Sequence, residues 1–247
     1  MSANTSMPIT LASEARPWEG TGWRAVSAHY ESATFALVRG DLTAHDLLET
    51  ILEEACSRLP AEVEGLHDLL ATPYRYFPLP SGSRFCAPYE PAVFYGAEDV
   101  KTACAEAGYA RLRFWRDSVG LSSQPAFLPL TLFEFHAKTD TAIDLTRSPF
   151  SERRTQWNSP SDYGATQAIA TQARRKSIQL IRYESALNGP DGRCLAALSP
   201  QVFRSVREPF RHQPQSWSLF IQPPHLTVWQ RALLADRFRF SYPDSPA

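Results

Sequence analysis

Apolar positions fall at helical spacing in one early run, Leu47, Leu48, Ile51, Leu52, Ala55 and Leu59. Thr43 and Asp46 resemble an N-terminal capping pair for it, and Pro60 ends it. The simplest reading is an amphipathic helix laid on a core. A second helical run puts Val100, Ala103, Cys104, Ala107, Arg111 and Phe114 on one face, with Glu98 and Asp99 at the positive end of its dipole. Glu106 lies about 100° around from the middle of that face, at the margin of the buried stripe. A third helix is predicted from Asp162 to Lys176, its cationic finish Arg174-Arg175-Lys176 matching the negative dipole end.

Strand-like patterning occupies most of the rest. Trp23–Val38 reads as one or two strands, Tyr74–Phe77 as a short one, Val93–Tyr95 as an extended run released by Gly96, and Leu130–His136 as another. Ser177–Ser185 and Arg193–Ser199 form a hairpin across Asn188-Gly189-Pro190-Asp191-Gly192. Further extended runs are expected at Ser216–Gln222, Leu226–Gln230 and Phe238–Tyr242. Residues 1–20 read as a loose leader, 117–129 as a Ser/Pro-rich loop, and 146–161 as an irregular polar loop carrying Arg153, Arg154, Trp157 and Asn158. The pattern predicts a single mixed α/β domain, with residues 1–65 as an elaboration packed on it.

Composition narrows the function classes. A 247-residue chain with 43% hydrophobic residues folds around a substantial core, and its net charge of −1 argues against a dedicated nucleic-acid binder. Cys56, Cys86, Cys104 and Cys194 are scattered without a CxxC pair, and the six histidines show no paired ligand spacing. Neither a structural metal nor a disulfide framework is expected. The N-terminal stretch has no signal-peptide pattern, and no apolar run near 18 residues exists to span a membrane, so the reading is cytoplasmic.

The densest chemistry lies between Pro73 and Tyr109, which holds Arg75, Arg84, Tyr95 and Glu106. A guanidinium presents a planar fork to a pyrophosphate, a tyrosine stacks on a ring, and a carboxylate stabilises a neighbouring cation. Taken singly, Arg84 reads as a surface or salt-bridging arginine, Tyr95 as core, Glu106 as a solvated helix glutamate and Ser185 as a hairpin serine. There is no GxSxG elbow and no glycine-rich phosphate loop after a strand.

In order, the pieces GSRF (82–85), VFYGAED (93–99), TACAE (102–106) and IRYES (181–185) resemble the RES-domain family. The resemblance covers roughly residues 70–200 and departs at Phe85, where many members carry tryptophan. It places the family's arginine, glutamate and serine on Arg84, Glu106 and Ser185, its tyrosine on Tyr95 and an earlier arginine on Arg75. It implies an ADP-ribosyltransferase-like fold over 66–247, a split mixed sheet with flanking helices holding NAD in a cleft. It also implies the toxin of a bacterial toxin–antitoxin pair that cleaves the nicotinamide–ribose bond of NAD with phosphate or water as acceptor, its partner a small helix-turn-helix antitoxin. Transfer of ADP-ribose to a protein, and a non-catalytic nucleotide- or antitoxin-binding module, are the alternatives. Homo- or hetero-oligomeric assembly is left open.

Overall fold

Nineteen consecutive residues, Ala126–Asp144, form one strand, β3, and most of the sheet is assembled on it. The structure, a computed structural model, describes residues 11–27, 43, 47, 61–75, 82–118, 120, 123–204, 210, 213–233 and 235–242. The amphipathic helix expected up to Leu59 and the strand region from residue 28 to Val38 lie outside them, Thr43 and Leu47 apart.

Strand β1 (Arg16–Ser27) runs antiparallel to β3 from the Ser27↔Leu130 pair to the Arg16↔Ala142 pair. Strand β2 (Phe94–Ala97) touches β1 at Trp23↔Ala97 and pairs along its length with β5 (Arg193–Ala197). β5 pairs with β4 (Leu180–Glu184), and β4 lies parallel to the last three residues of β3. On the far side, the first half of β3 carries β6 (Gln215–Gln222), followed by β7 (Leu226–Arg231) and β8 (Arg237–Ser241). The order is β1-β2-β5-β4-β3-β6-β7-β8, with β1 also on β3. The first five strands therefore close into a ring, and β6–β8 extend from it as a wing. This is a large mixed sheet with helices against it, the fold class the sequence predicts.

β3 is apolar on both faces where it crosses the centre. Leu130 and Leu132 pack with Trp217, Leu219 and Trp229, while Phe133 and Phe135 pack with Phe94 and Phe203 on the other side. Gly96 lets the sheet close there, since a Cβ at that position would sit 2.5 Å from the Phe135 ring. Gly96 thus continues β2 instead of releasing it.

Three helices matter for the site: α1 (Asp68–Arg75), α2 (Val100–Asp117) and α3 (Gly164–Arg175). The Asp99 side chain caps α2 by accepting from the Thr102 backbone N–H at 2.8 Å. The buried face of α2 is Thr102, Ala103, Cys104, Ala105, Gly108 and Leu112, whereas Phe114 is 63% exposed. Small residues set this orientation. A Cβ on Gly108 would come within 3.0 Å of Trp229 and Tyr242, so the helix turns its least bulky side to the sheet.

Other expectations change. Residues 11–20 are a helical turn and the start of β1, not a leader. Tyr74 and Arg75 end α1 instead of starting a strand: Leu70 and Ala71 N–H groups both donate to the His67 carbonyl, and Leu70, Ala71 and Tyr74 form its buried side. β3 begins at Ala126, inside the expected loop, and Pro129 does not interrupt it. Among the described residues, no helix is long and apolar enough to cross a membrane.

Candidate functional site

Glu106 is half-buried in the second turn of α2, facing the hairpin of β4 and β5. Its Oε1 accepts from the Ser185 hydroxyl at 2.6 Å and from the Cys194 thiol at 3.8 Å. Both donors converge on one oxygen, and among the described residues Oε2 has no hydrogen bond. Burial pushes the carboxyl above its ordinary range, while Ser185, the Arg84 charge and Cys194 pull the other way.

Ser185 is buried at the end of β4, and its position is fixed from three sides. Its backbone N–H donates to Gly192 at 3.0 Å, and its Oγ accepts from the Leu187 and Asn188 backbones at 3.1 and 3.0 Å. The Asn188 amide donates to Thr102 Oγ1 at 2.8 Å, and that hydroxyl donates to Asp99 at 2.6 Å. The hairpin loop is thereby stitched to the first turn of α2, so the serine and the glutamate share one rigid frame. Cys194 pairs across the hairpin with Tyr183. Burial raises both groups well above their ordinary values, which keeps them neutral.

Arg84 sits in the tight turn Ser83–Cys86, closed by Ser83 N–H to Cys86 O at 2.8 Å and the return bond at 3.2 Å. Gly82 enters the turn at φ +68°, and a Cβ there would collide with the Cys86 carbonyl at 2.2 Å. The Tyr95 hydroxyl grips the turn on both sides of the arginine, bonding Ser83 Oγ at 2.7 Å and accepting from Phe85 N–H at 2.9 Å. Burial pushes that phenol up to about 12. The Arg84 guanidinium donates to the carbonyls of Trp157 and Ser159 at 3.0 and 2.9 Å and lies 4.8 Å over the Tyr163 ring.

The structure therefore brings Arg84, Tyr95, Glu106 and Ser185 into one neighbourhood, with different duties. Glu106 and Arg84 hold the charges, Ser185 fixes Glu106, and Tyr95 fixes the turn of Arg84. Arg75 is placed apart from them in its bonding: it ends α1 and pairs with Asp68 at 3.2 Å on its own helix. Cys194, Tyr183, Trp157 and Tyr163 are members of the neighbourhood that sequence reasoning did not assign to the site. The period of two from Ser185 back to Tyr183, and the pairing of Tyr183 with Cys194, carried the signal for both, since alternate and directly paired residues share a face. The carbonyls of the 157–159 segment carry none.

A cavity of about 500 Å³ opens elsewhere, between Arg16, Trp18, Asp144, Arg147, Phe150 and Arg182. It shares no lining residue with the Glu106 group, and its arginines are engaged. Arg182 holds Glu98 and Asp144, Arg147 pairs with Asp144 at 3.3 Å, and Arg16 donates to neighbouring carbonyls. The charged chemistry lies with Glu106. Among the described residues, no group of three His, Cys, Asp or Glu side chains is arranged to hold a metal ion.

The RES domain matches residues 58–221, about two thirds of the chain. The chain belongs to the RES family. No curated protein matches it. Among solved structures, the Mycobacterium tuberculosis MbcT–MbcA toxin–antitoxin complex contains a similar chain, with 15% identity and a TM-score of 0.45 over 86% of this chain and 92% of that one. The RES match ends at Leu219–Ile221 in β6, so β7 and β8 continue this chain's sheet beyond it.

Proposed function

We propose that this RES protein cleaves NAD between nicotinamide and ribose and serves as the toxin of a toxin–antitoxin pair. The observation that carries the reading is the Glu106 carboxylate, one oxygen clamped by Ser185 and the other unpartnered among the described residues, within reach of the Arg84 charge. When the bond between ribose C1′ and the nicotinamide nitrogen breaks, its electron pair leaves with nicotinamide. The base departs neutral, so no acid is needed, and positive charge develops on the sugar as in glycoside cleavage. The fixed carboxylate of Glu106 stabilises that charge without reorganising. Arg84 supplies a fork for the pyrophosphate and Tyr163 an aromatic wall beside it. An acceptor oxygen, from phosphate or water, then bonds to C1′ on the opposite face and gives up its proton to solvent.

The antitoxin in this reading is a small helix-turn-helix protein that covers the cleft, and the compartment is the cytoplasm. The test is product analysis of NAD incubated with the purified protein, with and without inorganic phosphate. Free nicotinamide should appear together with ADP-ribose, or with its phosphorylated counterpart when phosphate is present. Full turnover by folded Glu106→Gln protein would remove the assigned role. Label from NAD recovered only on protein would replace hydrolysis or phosphorolysis with ADP-ribosyl transfer.

A further inference from the structure

The Arg84 guanidinium spends one nitrogen on the protein. Nη1 donates to the carbonyls of Trp157 and Ser159, and among the described residues no hydrogen bond is made by Nε or Nη2. Those two nitrogens form the side-on edge of the group, the edge that matches two oxygens of a phosphate. Its face is covered by the Tyr163 ring. Residues 157–163 therefore make a collar that leaves one edge of the arginine open. Ser159 Oγ accepts the Asp162 N–H at 2.9 Å, and Asp162 Oδ1 accepts the Gly164 N–H at 2.9 Å, where α3 begins. At its other end the collar leaves a one-turn helix, Arg154–Trp157, closed by Asn158 N–H to the Arg154 carbonyl at 3.1 Å. Trp157 is buried, and its Nε1 donates to the Phe150 carbonyl at 2.8 Å.

The first residue of that helix pins it to the sheet. Arg154 Nε donates to Glu184 Oε2 at 2.7 Å, and Arg154 Nη2 donates to Glu184 Oε1. Glu184 is the last residue of β4 and immediately precedes Ser185. Successive side chains leave a strand on opposite sides. Ser185 accordingly reaches Glu106, while Glu184 reaches the helix that leads into the collar. Two consecutive residues at one strand end thus hold the two charged groups of the site. With the Arg154 side chain 56% exposed, the pair adds little to global stability, so its effect is local.

On the reading of Arg84 as the pyrophosphate fork, we propose that Glu184 and Arg154 are positioning residues for the pyrophosphate of a dinucleotide. Their pair fixes the collar, the collar fixes Nη1, and the Nε–Nη2 edge is thereby presented to the phosphate oxygens. Releasing the pair leaves Glu106 and its Ser185 bond in place. Ligand affinity then falls, while the step that depends on the Glu106 charge does not slow.

The test is calorimetric titration of ADP-ribose into the full chain, on wild type, Glu184→Gln, Arg154→Met and Arg154→Lys, followed by steady-state kinetics on NAD. Affinity should fall about tenfold in the first two variants, the scale of one misaligned charge-assisted hydrogen bond. The loss should be smaller in Arg154→Lys, which keeps the charge and gives up the fork. KM for NAD should rise by about the same factor while kcat stays within about twofold, the signature of lost binding shared by ground and transition states. Asp236→Asn breaks another partly exposed pair, Arg231–Asp236 at 3.0 Å in the wing, and should change none of these constants. Unchanged affinity in folded Glu184→Gln and Arg154→Met overturns the assignment. So does a kcat loss equal to the loss in kcat/KM, which places the effect at Glu106. Should Glu184→Gln fail to fold, Arg154→Met decides, because it leaves every strand residue unchanged. A wild type that binds ADP-ribose with this dependence and releases no nicotinamide defeats NAD cleavage alone. Turnover with affinities indifferent to the pair defeats the positioning role and leaves cleavage standing.

Discussion

Glu106 carries a cost that its position makes measurable. Its folded pKa lies above the 4.5 of the unfolded chain, so the folded state holds the proton more tightly. Stability then falls as pH rises from 4.5 through the raised folded value, and the loss persists above it. Glu106→Gln keeps an acceptor for Ser185 and removes the charge. Its melting temperature should exceed wild type near neutrality, with the two curves converging below pH 4.5. Activity moves oppositely: nicotinamide release should drop about 10²–10³-fold in the variant, the scale set by losing one preorganised electrostatic group. In wild type it should rise with pH as the carboxyl ionises. Ser185→Ala removes a bond that lowers the Glu106 pKa and strands the Leu187 and Asn188 N–H groups. It should cost about 1–3 kcal/mol in denaturant unfolding, and its acid limb in a pH–rate profile should move to higher pH.

At the level of elements, the Ser83–Cys86 turn and β2 act as one unit through the Tyr95 hydroxyl. Tyr95→Phe leaves the Phe85 N–H without its acceptor, at about 1–3 kcal/mol, and loosens Arg84 without touching Glu106. Steady-state kinetics on NAD should show KM rising more than kcat falls. This scale also shows what the sequence could tell. The β4–β5 hairpin and α3 were legible because their signals are local: turn residues 188–192 and a cationic helix end. Tyr74 and Arg75 misled because aromatic neighbours favour a strand, while the His67 carbonyl and three buried side chains decide for a helix. The order Arg84, Tyr95, Glu106, Ser185 was readable. The division of labour was not, since it depends on which hydroxyl bonds which atom across the hairpin.

Across the whole molecule, Arg182 ties together three places the chain visits separately. From β4 it holds Glu98 ahead of α2 and Asp144 at the end of β3, all with side chains 20–28% exposed. Burial raises the Asp144 carboxyl, but bonds from Thr146 and Arg182 outweigh it and keep the group below 3.8. Its contribution is therefore present above pH 3.8 and lost as pH falls through the depressed folded value. Arg182→Met should destabilise by about 2–3 kcal/mol near neutrality, less than for a fully buried pair. Urea unfolding should find the deficit shrinking in acid.

The pairing of β1 with β3 has a consequence during synthesis. Ser27 meets Leu130, so roughly a hundred residues must leave the ribosome between the two halves of the ladder. At about 5–20 residues per second, the nascent strand waits on the order of 5–20 s with its backbone groups unclaimed. An open strand of this length is a template for pairing with another chain. The interval before Asp144 emerges is when a chaperone would most change the yield of folded protein.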